Sequence, residues 1–387
     1  MDRAWAHELV YGVFRLRGRL DFLLSLHLHR GLESLPVPLL QVLRVGSYQL
    51  LAMGSVPAYA AVSQSAAQAR DVGGAKGAGV ANAVLRVLAD AGGGLERFPS
   101  LGEDPVAHLA TWGSHPRWLV ERWVERLGAA RARDVVEVGN RTPELFLRPL
   151  GIPLAGARER LALEGLQAEV GPSSSATLKL AAGSDPARAL SAVPAIVQDP
   201  AASCVVEHAA VQRGERVLDL CAAPGGKGIA LMDLGAEVFA MDLSLSRLVK
   251  MREGLRRIGL PERLVAGRAE LPPFAEADAV LVDVPCTGTA TFARHPDARW
   301  RLRPGDPARL AEVQAHILDG AAGVVRPGGA LVYATCTLEA EENEGAVEAF
   351  LARRPDFSLD GETAILRVIP GELSTDGTFA ARFRRST

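Results

Sequence analysis

The chain has 387 residues, enough for two or three domains, and 48% of them are hydrophobic, enough for sizeable cores. A formal net charge of −2 excludes a global electrostatic attraction to nucleic acid, so a local basic patch would have to supply it. The four cysteines form no C-x-x-C pair and stand at no zinc-finger spacing from a histidine, which argues against a metal site and for free thiols in a reducing cytoplasm.

The start, Met1-Asp2-Arg3-Ala4-Trp5-Ala6-His7-Glu8, is charged and lacks the apolar run of a secretory leader. No stretch approaches transmembrane length, so the expectation is a cytoplasmic chain with no membrane partner. Residues 1–92 read as all helix: apolar residues recur at helical spacing over 5–14, 39–53 and 80–88, with Gly31, Pro36, Pro57 and Gly73-Gly74 between them. Residues 93–135 read as a linker, with Gly92-Gly93-Gly94, Pro99 and Gly102 in and before it, followed by a helical piece over 118–127. A small α+β subdomain is expected over 136–195, with strands at 145–147 and 177–180 and a helix at 157–166. Over 196–387 the pattern turns to β-α alternation. Strands are expected at 216–220, 237–242, 279–283 and 330–335, and helices at 227–234, 246–258 and 307–325. Such alternation implies an α/β domain with a parallel sheet covered by helices on both faces.

The first of these strands ends in Asp219-Leu220-Cys221-Ala222-Ala223-Pro224-Gly225-Gly226-Lys227. Small residues from Cys221 to Gly226 let the backbone approach a ligand, and a helix start offers free N–H groups to an anionic one. Asp242 ends the next strand, 23 residues after Asp219, near the spacing at which dinucleotide folds place a ribose-binding acid. The loop is neither G-x-G-x-x-G nor a Walker loop, and Pro-Gly-Gly suits a nucleoside without a pyrophosphate. S-adenosylmethionine is therefore expected over NAD, with Lys227 near its carboxylate.

Two further strings, Asp283-Val284-Pro285-Cys286 and Ala334-Thr335-Cys336-Thr337, each follow an apolar strand-like run. Carboxyl ends of strands are where open α/β sheets do chemistry. Two thiols on that edge suit attack on a pyrimidine. A thiolate adding at carbon 6 of cytosine makes carbon 5 nucleophilic toward a methyl donor, and a second group must then remove the carbon-5 proton. Asp283 is a candidate to hydrogen-bond the base. Cys204, in an apolar helical run, reads as a small core hydrophobe, and Cys221 as packing within the loop.

With these residues in hand, the chain resembles the RNA cytosine-5 methyltransferases of the Sun/Fmu (RsmB) type. The shared strings are Val197-Gln198-Asp199-Pro200, the 219–227 loop, Asp283 to Cys286, His295-Pro296-Asp297 with Trp300, and Tyr333 to Thr337 with Glu341-Glu342-Asn343. Ala6 to Val13, Arg44 to Leu51 and Asn82-Ala83-Val84-Leu85-Arg86 resemble the NusB-type RNA-binding domain. The resemblance implies an all-α NusB-like domain, a Rossmann-like catalytic domain and 16S ribosomal RNA as substrate. It makes Cys336 the nucleophile and Cys286 the residue assisting proton loss and release. Cys221, Ala222, Ala223, Pro224, Gly225, Gly226, Lys227, Asp242 and Asp283 become the cofactor-contacting set.

The chain departs from that pattern in two places. Arg268 stands where the family has an adenosine-contacting acid, with Glu270 two residues on, and Thr287-Gly288-Thr289-Ala290 replaces Ser-Gly-x-Gly. Near the C-terminus, Thr375-Asp376-Gly377 keeps the family's Asp-Gly turn. Arg294, Arg299, Arg301, Arg303 and Arg309 are expected to bind RNA phosphates, as more weakly are Arg15, Arg17, Arg19 and Arg30. The leading expectation is a monomeric 16S RNA cytosine-5 methyltransferase. The alternatives are an inactive RNA-binding assembly factor, motivated by Arg268, and the same chemistry on transfer RNA or 23S RNA.

Overall fold

A computed structural model describes residues 3–172, 176–372 and 375–387. They fall into two compact units, Met1–Arg141 with Phe292–Leu302, and Thr142–Thr291 with Arg303–Thr387.

In the first unit α1 (Arg3–Ser25), α2 (Val37–Ala52) and α3 (Ala58–Ala91) bury Leu23, Leu24, Leu43, Val62, Leu85 and Leu88 in one core. Pro36 and Pro57 precede α2 and α3, where a missing N–H costs nothing. α3 breaks at Gly74, whose φ of 63° is a left-handed value that glycine takes without steric cost. The stretch 91–104 carries a 3-10 turn at Leu95–Arg97 and buries Phe98 against Phe22 and Trp112. Then come α4 (Pro105–Thr111), capped by Asp104 on Ala107 N–H at 2.8 Å, α5 (Arg117–Leu127) and α6 (Ala129–Gly139).

Within the second unit, β1 (Phe146–Pro149), α7 (Leu154–Leu163), β2 (Ala168–Val170), β3 (Leu178–Leu180), α8 (Pro186–Ala192) and β4 (Ala195–Val197) form a small α+β piece. Its four strands are antiparallel in the order β2-β3-β1-β4, and Leu147, Leu178 and Leu180 pack on Ala157, Leu161 and Ala189. β2 and β4, three residues each, were not among the expected strands.

The remaining elements are α9 (Pro200–His208), β5 (Arg216–Asp219), α10 (Gly226–Asp233), β6 (Glu237–Asp242), α11 (Leu245–Ile258), β7 (Leu264–Ala266), β8 (Ala277–Asp283), α12 (Asp306–Ala322), β9 (Val325–Thr335), α13 (Glu344–Arg353), β10 (Phe357–Leu359), β11 (Ile365–Val368) and β12 (Thr378–Arg385). They build a sheet of order β10-β12-β9-β8-β5-β6-β7, with β11 also on β12. β5 to β9 are mutually parallel. Alternate residues of β8 and β9 serve opposite cores, Val280, Val282, Leu331 and Tyr333 in one, Ala279, Leu281, Val332 and Ala334 in the other.

The sheet corrects the expectation of a purely parallel one. β12 runs antiparallel to β9, and β10 and β11 run antiparallel to β12. The sequence signal for these strands was weak because β12 reads Thr-Phe-Ala-Ala-Arg-Phe-Arg-Arg, with three arginines and two alanines in eight residues.

Candidate active site

The order β7-β6-β5-β8-β9 reverses direction between β5 and β8, a switch point at whose carboxyl edge open α/β sheets bind their ligands. Asp219, Asp242 and Asp283 end β5, β6 and β8, so three carboxylates share this edge with the 220–226 loop.

The loop is fastened from several sides. Asp242 accepts from Ala223 N–H at 3.0 Å and from Ser244 N–H at 2.8 Å. Gln198, which lies between β4 and α9, donates to the Gly226 carbonyl at 2.8 Å and accepts from the Ser203 hydroxyl at 2.7 Å. Arg247 donates to the Ala223 carbonyl and stands 3.7 Å from Asp242. Gly225 has a φ of 111°, and a Cβ there would lie 2.9 Å from Met251. A Cβ at Gly228 would lie 2.8 Å from Asp219 Oδ2. Asp219 is buried, its Oδ1 has no hydrogen-bond partner, and its pKa is pushed up to about 7 by burial and by the charge of Asp283. The Cys221 thiol is pushed far up by burial and by the surrounding carboxylates, Glu270 among them, which makes it inert as a nucleophile.

The two cysteines meet. Cys286 Sγ and Cys336 Sγ are 3.3 Å apart, and the Cys336 N–H donates to Cys286 Sγ at 3.3 Å. The hydrogen bond with Cys336, then burial, raises the Cys286 pKa well above the usual thiol value. Beside them Lys227 Nζ pairs with Asp283 Oδ2 at 2.6 Å. Burial alone would lower the lysine pKa, but Asp283, Cys336 and Asp219 outweigh it and raise it, so the ammonium stays charged. Gly288 (φ 67°) turns the Cys286 loop, with the Thr291 N–H and hydroxyl on its carbonyl.

Ala290, at the position of the replaced glycine, takes no positive φ; its N–H donates to the Cys336 carbonyl at 3.1 Å and its carbonyl accepts Gly377 N–H at 3.0 Å. A Cβ on Gly377 would come 2.9 Å from that of Ala290, so the Asp-Gly turn accommodates the alanine. Arg268 is exposed and pairs with Glu270 at 3.3 Å.

The expected phosphate-binding arginines fare unevenly. Arg299 is corrected: it has no exposed surface. It donates to the carbonyls of Ser114 (3.1 Å), Gly139 (2.6 Å) and Phe292 (3.2 Å) and to Asn140 Oδ1 (2.8 Å), all within the first unit. Arg15 and Arg19 are half-buried and donate to the carbonyls of Ala293 and Trp112, while Arg17 lies over the Trp300 ring at 5.1 Å. Arg303, Arg309 and Arg30 are exposed; Arg301, also exposed, pairs with Asp297 at 2.9 Å. Sequence reasoning missed Arg247 and Gln314, which carry no motif.

The family model for the 16S rRNA methyltransferase RsmB/F matches residues 207–384, and the NusB family model matches residues 1–90. A Mycobacterium tuberculosis protein assigned as a methyltransferase is 37% identical over 422 residues, covering 100% of this chain and 89% of that one. Ribosomal RNA small subunit methyltransferase B of Cronobacter sakazakii is 32% identical over 404 residues, covering 98% of this chain and 90% of its own. The crystal structure of PH0851 superposes with a TM-score of 0.81 at 24% identity, covering 100% of this chain and 91% of that one, a likeness of fold. With a NusB-like helical domain, a Rossmann-like domain bearing the site, and relatives matched along nearly their whole length, the chain belongs to the RsmB/F family of 16S rRNA methyltransferases.

Proposed function

We propose that the chain methylates carbon 5 of a cytosine in 16S rRNA through a covalent adduct between Cys336 and carbon 6 of the base. The observation that carries this reading is the 3.3 Å approach of two thiols next to a Lys227–Asp283 pair at the switch point. The residues fit S-adenosylmethionine: a small-residue loop, Asp242 at the end of β6, and a buried Asp219 oxygen left without a partner beneath the loop. When bound, that cofactor supplies an electrophilic methyl group.

The chain's own groups do the rest. The Cys336 sulfur adds to carbon 6, with Lys227 close enough for its charge to act on that sulfur. Asp283, held by Lys227 through one oxygen, keeps the other for the base's amino group or ring nitrogen. Cys286 holds its proton while it is bonded to Cys336. Once Cys336 has become an uncharged thioether that cause disappears, the Cys286 thiol gives its proton to solvent, and the resulting thiolate takes the carbon-5 proton. The carbon 6–sulfur bond then breaks and Cys336 leaves as the thiolate. The same reading has Glu270 in the place of the missing adenosine-contacting acid, and a monomer acting in the cytoplasm.

Methylation measured by bisulfite sequencing of 16S RNA tests the assignment. Cys336→Ala is expected to abolish the mark, since it removes the attacking sulfur; a surviving mark would show the nucleophile is elsewhere.

A further inference from the structure

The loops bearing the two cysteines are joined by one buried carboxylate. Glu342 has no exposed surface, and among the described residues no cation pairs with it. Its Oε1 accepts from Thr287 N–H at 2.9 Å and from Gln314 Nε2 at 3.0 Å. Its Oε2 accepts from the Thr337 hydroxyl at 3.1 Å and from the Thr287 hydroxyl. Thr287 directly follows Cys286, and Thr337 directly follows Cys336. The two hydroxyls are 2.6 Å apart, and Thr289 Oγ1 lies 2.9 Å from that of Thr337.

The carboxylate is itself fixed. The Tyr333 hydroxyl on β9 lies 2.6 Å from the Glu342 carbonyl oxygen and 2.9 Å from Gln314 Oε1, and Gln314 on α12 also donates to the Pro285 carbonyl at 2.9 Å. Glu342 therefore has a set position relative to one strand and one helix, and both cysteine loops are bonded to it. A carboxylate kept dry without a counter-ion is costly, and four donors on two oxygens are what offset that cost here.

We propose that Glu342 is a positioning residue that sets the separation of Cys286 and Cys336 by clamping the residue that follows each. Its consequence for catalysis rests on the function proposed above; its consequence for geometry does not.

Phenylarsine oxide reports the geometry directly. The trivalent arsenic condenses with two neighbouring thiols, forming two As–S bonds and releasing one water, and intact-mass spectrometry with a competing dithiol gives the affinity on the full chain. The wild-type chain is expected to chelate one arsenical, and Cys286→Ser and Cys336→Ser each to lose it. Glu342→Ala, shown folded by circular dichroism, is expected to bind about tenfold more weakly or worse. Glu342→Gln keeps an acceptor for Thr287 N–H and Gln314 and turns its amide toward the hydroxyls, and it should recover most of the affinity. In methyl-transfer assays the alanine variant should lose about 100-fold in kcat with KM unchanged.

A wild-type chain that does not chelate, or a folded Glu342→Ala that chelates like wild type, overturns the clamp. Should Glu342→Ala not fold, Thr287→Val with Thr337→Val takes its place, and unweakened chelation there overturns the clamp equally. A wild-type chain that chelates but leaves 16S RNA unmethylated overturns the proposed function, while the chelation series still decides the clamp.

Discussion

Asp219 ends β5 wholly buried, with one oxygen unbonded and a pKa near 7. In the unfolded chain an aspartate carboxyl ionises near its ordinary value of 3.8. Below that pH both states hold the proton and the residue has no effect on stability. Between about 4 and 7 the unfolded state loses its proton while the native state keeps it, so stability falls as pH rises, by up to about 4 kcal/mol in all. Asp219→Asn removes this dependence. Its thermal midpoint should exceed that of wild type at pH 8 and approach it at pH 4. A difference independent of pH would show that the buried carboxyl does not titrate in this window. The same residue explains the loop above it: Gly228 leaves the room that a side chain would take from Asp219 Oδ2.

At the scale of elements, the segment from Phe292 to Leu302 leaves the second unit directly after the Cys286 loop and belongs to the first. Its anchor is Arg299, a buried cation held by three carbonyls, the Asn140 oxygen and the His115 ring nitrogen at 3.4 Å, with its pKa lowered to about 9 by burial and by the charge of Arg15. Arg299→Met would strand three carbonyls and the Asn140 oxygen without their donor. We expect a loss of about 3 kcal/mol or more in the stability of the first unit, seen as a lower first thermal transition and faster tryptic cleavage at Arg301. An unchanged transition would mean that water or a rearranged Asn140 takes over those acceptors. This residue also marks where sequence reading failed: an arginine in a run of arginines reads as a phosphate ligand, and only the carbonyls of Ser114 and Gly139, far off in the chain, turn it inward. β12 is a similar case, since its arginines conceal a strand whose neighbours lie over forty residues upstream in β9.

Across the whole molecule, the parts legible in sequence were those where periodicity or local chemistry decides. Arg216–Asp219, Glu237–Asp242 and the carboxyl end of Val325–Thr335 stand where alternating apolar runs put them, and the Pro-Gly-Gly loop follows β5 as expected. Long-range pairing was not legible. Nothing near Gln314 indicates that its side chain reaches both Pro285 and Glu342, and nothing near Gln198 indicates that it holds Gly226. The central claim is that the two thiols, 3.3 Å apart, divide attack from release. The most direct measurement is made on Cys286→Ala incubated with 16S RNA and S-adenosylmethionine, followed by denaturing isolation and peptide mapping of any cross-linked nucleotide. A methylated cytosine attached to Cys336 is the predicted result. No adduct, or one on another residue, would contradict it.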